Sequence, residues 1–297
     1  MNTLKRGLDK GLFFISIDIW YSNDMMKLSV FGGTGYIGSN YCRMYPDNII
    51  IPRGQRHPES ADILYLISTT TNQNVFKDLQ IDIDTNLKIL TEVLSHCKRT
   101  DTVFNFVSSG FVYGNDIIDA KETDPCNPTG FYSTTKRCAE SLVISYCKTF
   151  GIDYRIFRIG NVFGIDPTVT KGKNVLGYMI RCLKKNDPIH LYGGGDYLKD
   201  YMYVEDVCRA LDTLMVWSTP NQIYNVGTGV TRTFREVIEY CKERVGSESP
   251  LVDVPFPDEQ EYLQIKNFTM NIDKLDSHGF IPELSIEQGL DLMCDLY

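Results

Sequence analysis

Val30-Phe31-Gly32-Gly33-Thr34-Gly35-Tyr36-Ile37-Gly38 is the stretch that decides the fold. An apolar run from Lys27 to Phe31 has the look of a buried strand, and glycines at 32, 35 and 38 lead into a helix that ends near Pro46. A strand, glycine loop and helix in this order let a diphosphate approach the backbone N–H groups of a helix N-terminus. Gly32, Thr34, Gly35, Tyr36, Ile37 and Gly38 are therefore candidates for holding a dinucleotide. A glycine pattern alone is a weak signal. Two further stretches give it weight.

The first is Val107-Ser108-Ser109-Gly110-Phe111-Val112-Tyr113-Gly114, which follows the apolar strand Thr102–Val107. Hydroxyls just past the carboxyl end of a strand stand where open α/β sheets place their ligands. The second is Tyr132-Ser133-Thr134-Thr135-Lys136, continued on one helix face by Ala139, Val143, Tyr146 and Phe150. A Tyr and a Lys four residues apart share that face. An ammonium one turn away favours the phenolate, lowers a pKa of about 10 and opens proton transfer near neutrality.

With these motifs the chain resembles an extended short-chain dehydrogenase/reductase, of the branch that modifies nucleotide sugars. The likeness runs from about Lys27 to the C-terminus and includes Arg158-Ile159-Gly160-Asn161-Val162-Phe163-Gly164, Asp200-Tyr201-Met202-Tyr203-Val204-Glu205-Asp206-Val207 and Tyr224-Asn225-Val226-Gly227-Thr228-Gly229. It implies a Rossmann-type α/β fold: a doubly wound parallel sheet with a smaller C-terminal substrate-binding lobe. The expected division is an extension over 1–26, a dinucleotide-binding part over 27–165 completed by parts of 200–230, and a substrate lobe over most of 166–297. The resemblance makes Tyr132 the acid/base, Lys136 its modulator and the ligand of the nicotinamide ribose, and Ser109 the holder of the reacting oxygen, with Ser108 the lesser candidate. Ser68 would lie along the cofactor. Asn161, Asn174, Val175 and Lys199 would meet the substrate, Lys199 standing where relatives have an Arg for the diphosphate. A second phosphate Arg expected after Pro257 is missing, and Lys266 is the nearby cation.

Two departures narrow the expectation. The second strand, Asn48–Ile51, ends in Pro52-Arg53-Gly54-Gln55-Arg56 rather than in an acidic residue. An Arg there suits a 2′-phosphate, which points to NADP(H) over NAD(H), through Arg53 with help from Arg56. The next strand, Asp62–Ile67, follows so soon that a helix–strand–helix unit looks deleted, and with it part of the adenine pocket. The later helix with Leu87, Leu90, Leu94 and Cys97 has plain core spacing, with Asn86 as a possible helix start and no chemistry assigned.

Residues around Ser109 limit the reaction. In relatives that dehydrate the sugar, an Asp-Glu pair follows the catalytic hydroxyl residue; here Gly110 and Phe111 stand there. Relatives that epimerise C3 or C5 use a Cys at the Phe111 position. What remains is redox chemistry at sugar C4, as a 4-epimerase or a 4-keto reductase. A carbonyl reductase for a substrate without a nucleotide, and a non-catalytic dinucleotide sensor, are the alternatives.

Composition agrees with a globular protein: 297 residues, 43% hydrophobic, net charge −8. The acidic balance argues against a general nucleic-acid surface. Nine scattered Cys without a C-x-x-C, and four isolated His, suggest reduced thiols, a cytoplasmic setting and no metal site. A homodimer is expected. The apolar run Leu12–Tyr21 is too short to span a membrane and lacks a cleavage site, so residues 1–25 are expected to be a dispensable extension.

Overall fold

The computed structural model describes residues 27–167, 174–257, 261–263 and 265–297. The N-terminal extension lies outside them. Six parallel strands form the central sheet in the order β10-β6-β4-β3-β1-β2. They are β1 (Leu28–Phe31), β2 (Ile49–Ile51), β3 (Asp62–Tyr65), β4 (Val103–Ser109), β6 (Asp153–Ile159) and β10 (Gln222–Val226). β4 is apolar along most of its length because a parallel strand is covered on both faces. On one face Leu28, Val30, Leu64, Val107 and Phe157 pack with Tyr41 of α1 (Tyr36–Met44) and Val207, Leu211 and Leu214 of α6 (Val204–Trp217). On the other, Phe31, Ile63, Tyr65, Phe104 and Phe106 meet Leu90 and Val93 of α3 (Ile89–Leu94) and Ala139, Val143 and Cys147 of α4 (Phe131–Phe150). This is the doubly wound arrangement that the sequence led us to expect.

The chain builds β1 and β2 to one side, then crosses back to lay β3, β4, β6 and β10 on the other. Strand order therefore reverses between β1 and β3, and ligands in such sheets bind outside the carboxyl ends at that reversal. The expected deletion is real. β2 is the edge strand, and residues 52–61 contain neither helix nor strand. This short crossing is pinned to the sheet by Ser29, whose Oγ accepts the Glu59 and Ser60 N–H groups, each at 2.8 Å.

Beyond the sheet, β7 (Asn161–Phe163), β9 (Leu198–Tyr203) and β11 (Thr231–Thr233) form a triplet, β8 (Ile189–Tyr192) pairs β12 (Leu251–Val254), and β13 (Phe268–Met270) pairs β5 (Ile117–Ala120). Phe163, Leu176, Ile180, Leu183, Tyr203, Ile238, Leu290 and Met293 form their own apolar cluster there. A capping box forms at Ser285: Ser285 Oγ accepts the Gln288 N–H at 3.2 Å, and Gln288 Oε1 accepts the Ser285 N–H at 2.9 Å. No disulfide forms, and all nine cysteines are free thiols.

Asn86 is not a helix start. It sits inside a π-helical stretch, Ile83–Lys88, that joins α2 (Gln80–Asp82) to α3. Its amide bonds other segments instead of capping a helix. Such π-helical stretches are frequent at functional sites.

Candidate active site

The glycine loop fits a diphosphate. Gly32 has φ +86°, and a Cβ on Gly38 would meet the Gly32 carbonyl oxygen and come within 2.8 Å of Gly33 Cα. Glycine is thus needed for the turn and for the close approach of helix to loop. No side chain caps the N-terminus of α1 at Gly35, so its first N–H groups can meet an anion. Thr34 is exposed beside them. Tyr36 contributes only its backbone. Its phenol turns inward among Tyr203, Tyr297 and Asp166, and burial pushes its pKa far up.

Ser109 ends β4 at the carboxyl edge, and Tyr132 opens α4 opposite it. The Ser109 and Ser68 hydroxyls lie near enough to the Tyr132 phenol to favour its ionised form. Its pKa is raised above the phenol value, first by burial, with both serines pulling it down and the Asp82 charge adding to the rise. Lys136 is one turn further along the helix but does not act on the phenol. Its Nζ donates to the Val107 carbonyl at 2.7 Å and lies 4.3 Å from the centre of the Phe106 ring. The expected lowering of the tyrosine pKa by Lys136 is therefore corrected. In this packing the lysine ammonium is held by a strand carbonyl, and the tyrosine remains a neutral acid at pH 7. Burial lowers the Lys136 pKa to about 7, against the pull of Glu140.

That burial has a sign that can be checked. A lysine that titrates lower in the folded state lets the unfolded chain bind more protons between pH 7 and about 10.5. Its cost is therefore complete below pH 7 and disappears as pH rises to the unfolded value. The shift corresponds to about 5 kcal/mol, and stranding the Val107 carbonyl returns about 1–3 kcal/mol. Lys136→Met should gain about 3 kcal/mol at pH 6, and less at pH 9, as read by thermal melts. An equal gain at both pH values would show that the ammonium is not the cause.

Two groups of residues around the site carry no sequence signature. Asn86 Oδ1 accepts from the Thr69 N–H (2.9 Å) and Ser68 Oγ (3.1 Å), and its Nδ2 donates to Thr69 Oγ1 and Thr135 Oγ1, each at 2.9 Å. It therefore fixes the Ser68 loop against α4 between Tyr132 and Lys136. Asp82, buried one turn earlier, accepts from Thr69 Oγ1 and, at 2.9 Å, from Asn74 Nδ2. Beneath the site, Glu140 accepts from Arg158 Nε (3.0 Å) and Nη2 (2.8 Å), Arg137 Nη1 (2.9 Å) and Ser108 Oγ (2.6 Å). The Arg158 guanidinium stacks 4.6 Å from the Tyr113 ring centre. The Asp82–Asn86 and Lys136–Glu140 spacings of four put polar groups on a shared helix face, but neither spacing points to these partners.

Several expected ligand contacts are already used internally. Ser108 is spent on Glu140 and does not face the reacting position. Asn174 caps α5 (Val175–Lys184): its Oδ1 accepts the Gly177 N–H at 3.1 Å and its Nδ2 donates to the Gly164 carbonyl at 2.6 Å. Val175 is exposed at the start of that helix. Lys199 donates to the Ile265 carbonyl and, at 3.0 Å, to that of Lys266, and burial lowers its pKa to about 8. Lys266 itself lies 3.7 Å from Glu261. Arg56 pairs with Glu92 at 2.7 Å, so it cannot assist Arg53, which is exposed. Asn161 differs: its Nδ2 is buried with no partner among the described residues.

The chain belongs to the NAD-dependent epimerase/dehydratase family, whose model matches residues 59–227, more than half of the chain. Its members are enzymes of the extended short-chain dehydrogenase type, acting on nucleotide sugars with NAD(P). The low-salt glycan biosynthesis protein Agl12 of Haloferax volcanii is 27% identical over 92% of this chain and 98% of its own length. Among solved structures, the UDP-glucose 4-epimerase of Thermus thermophilus in complex with NAD superposes with a TM-score of 0.78 at 24% identity, covering 91% of this chain and 98% of that one. RMD from Pseudomonas aeruginosa, complexed with NADPH, gives 0.79 at 22% over 91% and 98%. These two likenesses speak to the fold. No helix among the described residues is long and apolar enough to cross a membrane, and no His, Cys, Asp and Glu cluster there could hold a metal ion.

Proposed function

We propose that this enzyme carries out redox chemistry at C4 of a nucleotide-bound sugar, as a 4-epimerase or a 4-keto reductase. The dinucleotide supplies or accepts the hydride. Tyr132 gives a proton to the C4 oxygen when a ketone is reduced and takes it back when a hydroxyl is oxidised, while Ser109 holds that oxygen in line. Lys136 binds the nicotinamide ribose, and the free amide of Asn161 donates to the sugar. The observation that carries this reading is that Tyr132, at the start of α4, lies near Ser109, at the carboxyl edge of β4, with nothing acidic after it. A Cβ at Gly110 would lie 2.6 Å from the Phe268 ring, so there is no room for the acid that a 4,6-dehydratase needs beside Ser109. Screening UDP-, dTDP- and GDP-hexoses and their 4-keto forms with both cofactors tests the proposal. Turnover restricted to free carbonyl compounds would favour a reductase for non-nucleotide substrates. The internal engagement of Asn174 and Lys199 supports that second reading.

We further infer NADP(H) over NAD(H), now on Arg53 alone. An exposed cation beside a 2′-phosphate contributes about 1 kcal/mol, a preference of about fivefold. Arg53→Ala should remove this preference in fluorescence titrations. An unchanged ratio would make Arg53 a solvated loop residue.

A further inference from the structure

We propose that the enzyme grips its dinucleotide by the nicotinamide half and leaves the adenosine half largely in solvent, so that reduced nicotinamide mononucleotide can serve as a hydride donor. The inference rests on the redox function proposed above. A doubly wound fold normally devotes one β-α-β-α-β unit to each half of a dinucleotide. Here the half that begins at β1 ends at β2. That strand spans only Ile49–Ile51, forms the edge of the sheet and leaves Ile50 44% exposed. After it the chain recrosses the sheet over residues 52–61. No further strand or helix flanks β2 among the described residues.

The crossing does not replace the missing wall, because its polar groups are turned onto the protein itself. Arg56 pairs with Glu92 at 2.7 Å, and Gln55 Nε2 donates to the His57 carbonyl (3.2 Å) and Glu59 (3.1 Å). The Glu59 and Ser60 N–H groups bond Ser29, and the His57 ring lies tilted at 40° against His96 with 3.7 Å between centres. A Cβ built on Gly54 meets nothing within 4 Å. Arg53, the other arginine of the crossing, is exposed. The opposite end is built in full: the uncapped α1 N-terminus, the Tyr132–Ser109–Ser68 hydroxyls, and the Asn86 amide that ties them to α4.

The chemistry asks nothing of the adenosine. In the reducing direction a hydride carries two electrons from C4 of the reduced nicotinamide to the carbonyl carbon. Tyr132 gives its proton to the oxygen, a hydroxyl forms, and the nicotinamide leaves oxidised. Ordinarily an adenine pocket raises affinity without altering these steps, so its loss leaves the affinity to the nicotinamide end.

The test is to titrate the full chain with NADH, NADPH and reduced nicotinamide mononucleotide, following nicotinamide fluorescence, and to compete with 5′-AMP. The expected results are a mononucleotide Kd within about tenfold of that for NADH, and no displacement of NADH by 5′-AMP at about 10 mM. NADH binding more than about a hundredfold tighter than the mononucleotide, or displacement by submillimolar 5′-AMP, overturns the inference while leaving the redox function standing. If none of the three reduced nucleotides binds, the redox function fails and the inference fails with it.

Discussion

Tyr132→Phe lowers turnover by about a thousandfold and leaves dinucleotide affinity within about twofold. The substitution removes one oxygen and keeps the ring that packs at the start of α4. What is lost is the proton donor at the C4 oxygen, a role that typically contributes a factor of about 10²–10⁴. Burial keeps the phenol protonated at neutral pH, which suits it to donate toward a ketone. In the oxidising direction the same group must first lose its proton, so that rate should climb with pH above neutrality. The nicotinamide ribose is assigned to Lys136, so binding is spared. Turnover within about tenfold of the parent would remove Tyr132 from the chemistry.

Glu140→Gln lowers stability by about 3–5 kcal/mol, the usual cost of removing one partner from a buried ion pair. Glu140 is fully buried, and the side chain of Arg158 is 2% exposed. With the carboxylate gone, Arg158 keeps its charge in a dry setting, and the amide nitrogen that replaces one oxygen cannot accept from the donors that oxygen held, either Ser108 with Arg158 Nε or Arg137 with Arg158 Nη2. The melting temperature should fall by roughly 10 °C. Replacing both partners by apolar residues, Glu140→Leu with Arg158→Met, should recover most of the loss, because no unpaired charge is left behind. A Glu140→Gln protein that melts within about 2 °C of the parent would show that water reaches this network.

The contrast between Tyr132 and Glu140 shows what a sequence reveals of such a site. The glycine loop, the β4 run and the Tyr132–Lys136 spacing are local patterns, and each was legible because its geometry is set within one element. The missing unit after β2 was legible because connection length limits what can lie between two strands. Glu140 with Arg158, and Asn86 with Ser68, Thr69 and Thr135, join elements far apart in the chain, and no spacing announces them. Partner choice was hidden for the same reason. Residue type allowed Asn174, Lys199 and Arg56 to bind a ligand, but the fold had placed a carbonyl or a carboxylate within reach of each. The effect of Lys136 on Tyr132 was misjudged because helical spacing fixes where two side chains start and not which acceptor the ammonium finds.

The most direct test of C4 redox chemistry follows the hydrogen itself. A nucleotide hexose that turns over in the screen is prepared with deuterium at C4 and incubated with the enzyme in ordinary water, and the label is traced by mass spectrometry and NMR. C4 redox chemistry returns the deuterium to C4 of an inverted sugar or leaves it on C4 of the nicotinamide, admits no solvent hydrogen at C5, and is lost in Tyr132→Phe. Exchange at C5 with loss of water, or turnover that leaves C4 of the sugar neither inverted nor oxidised, would contradict it.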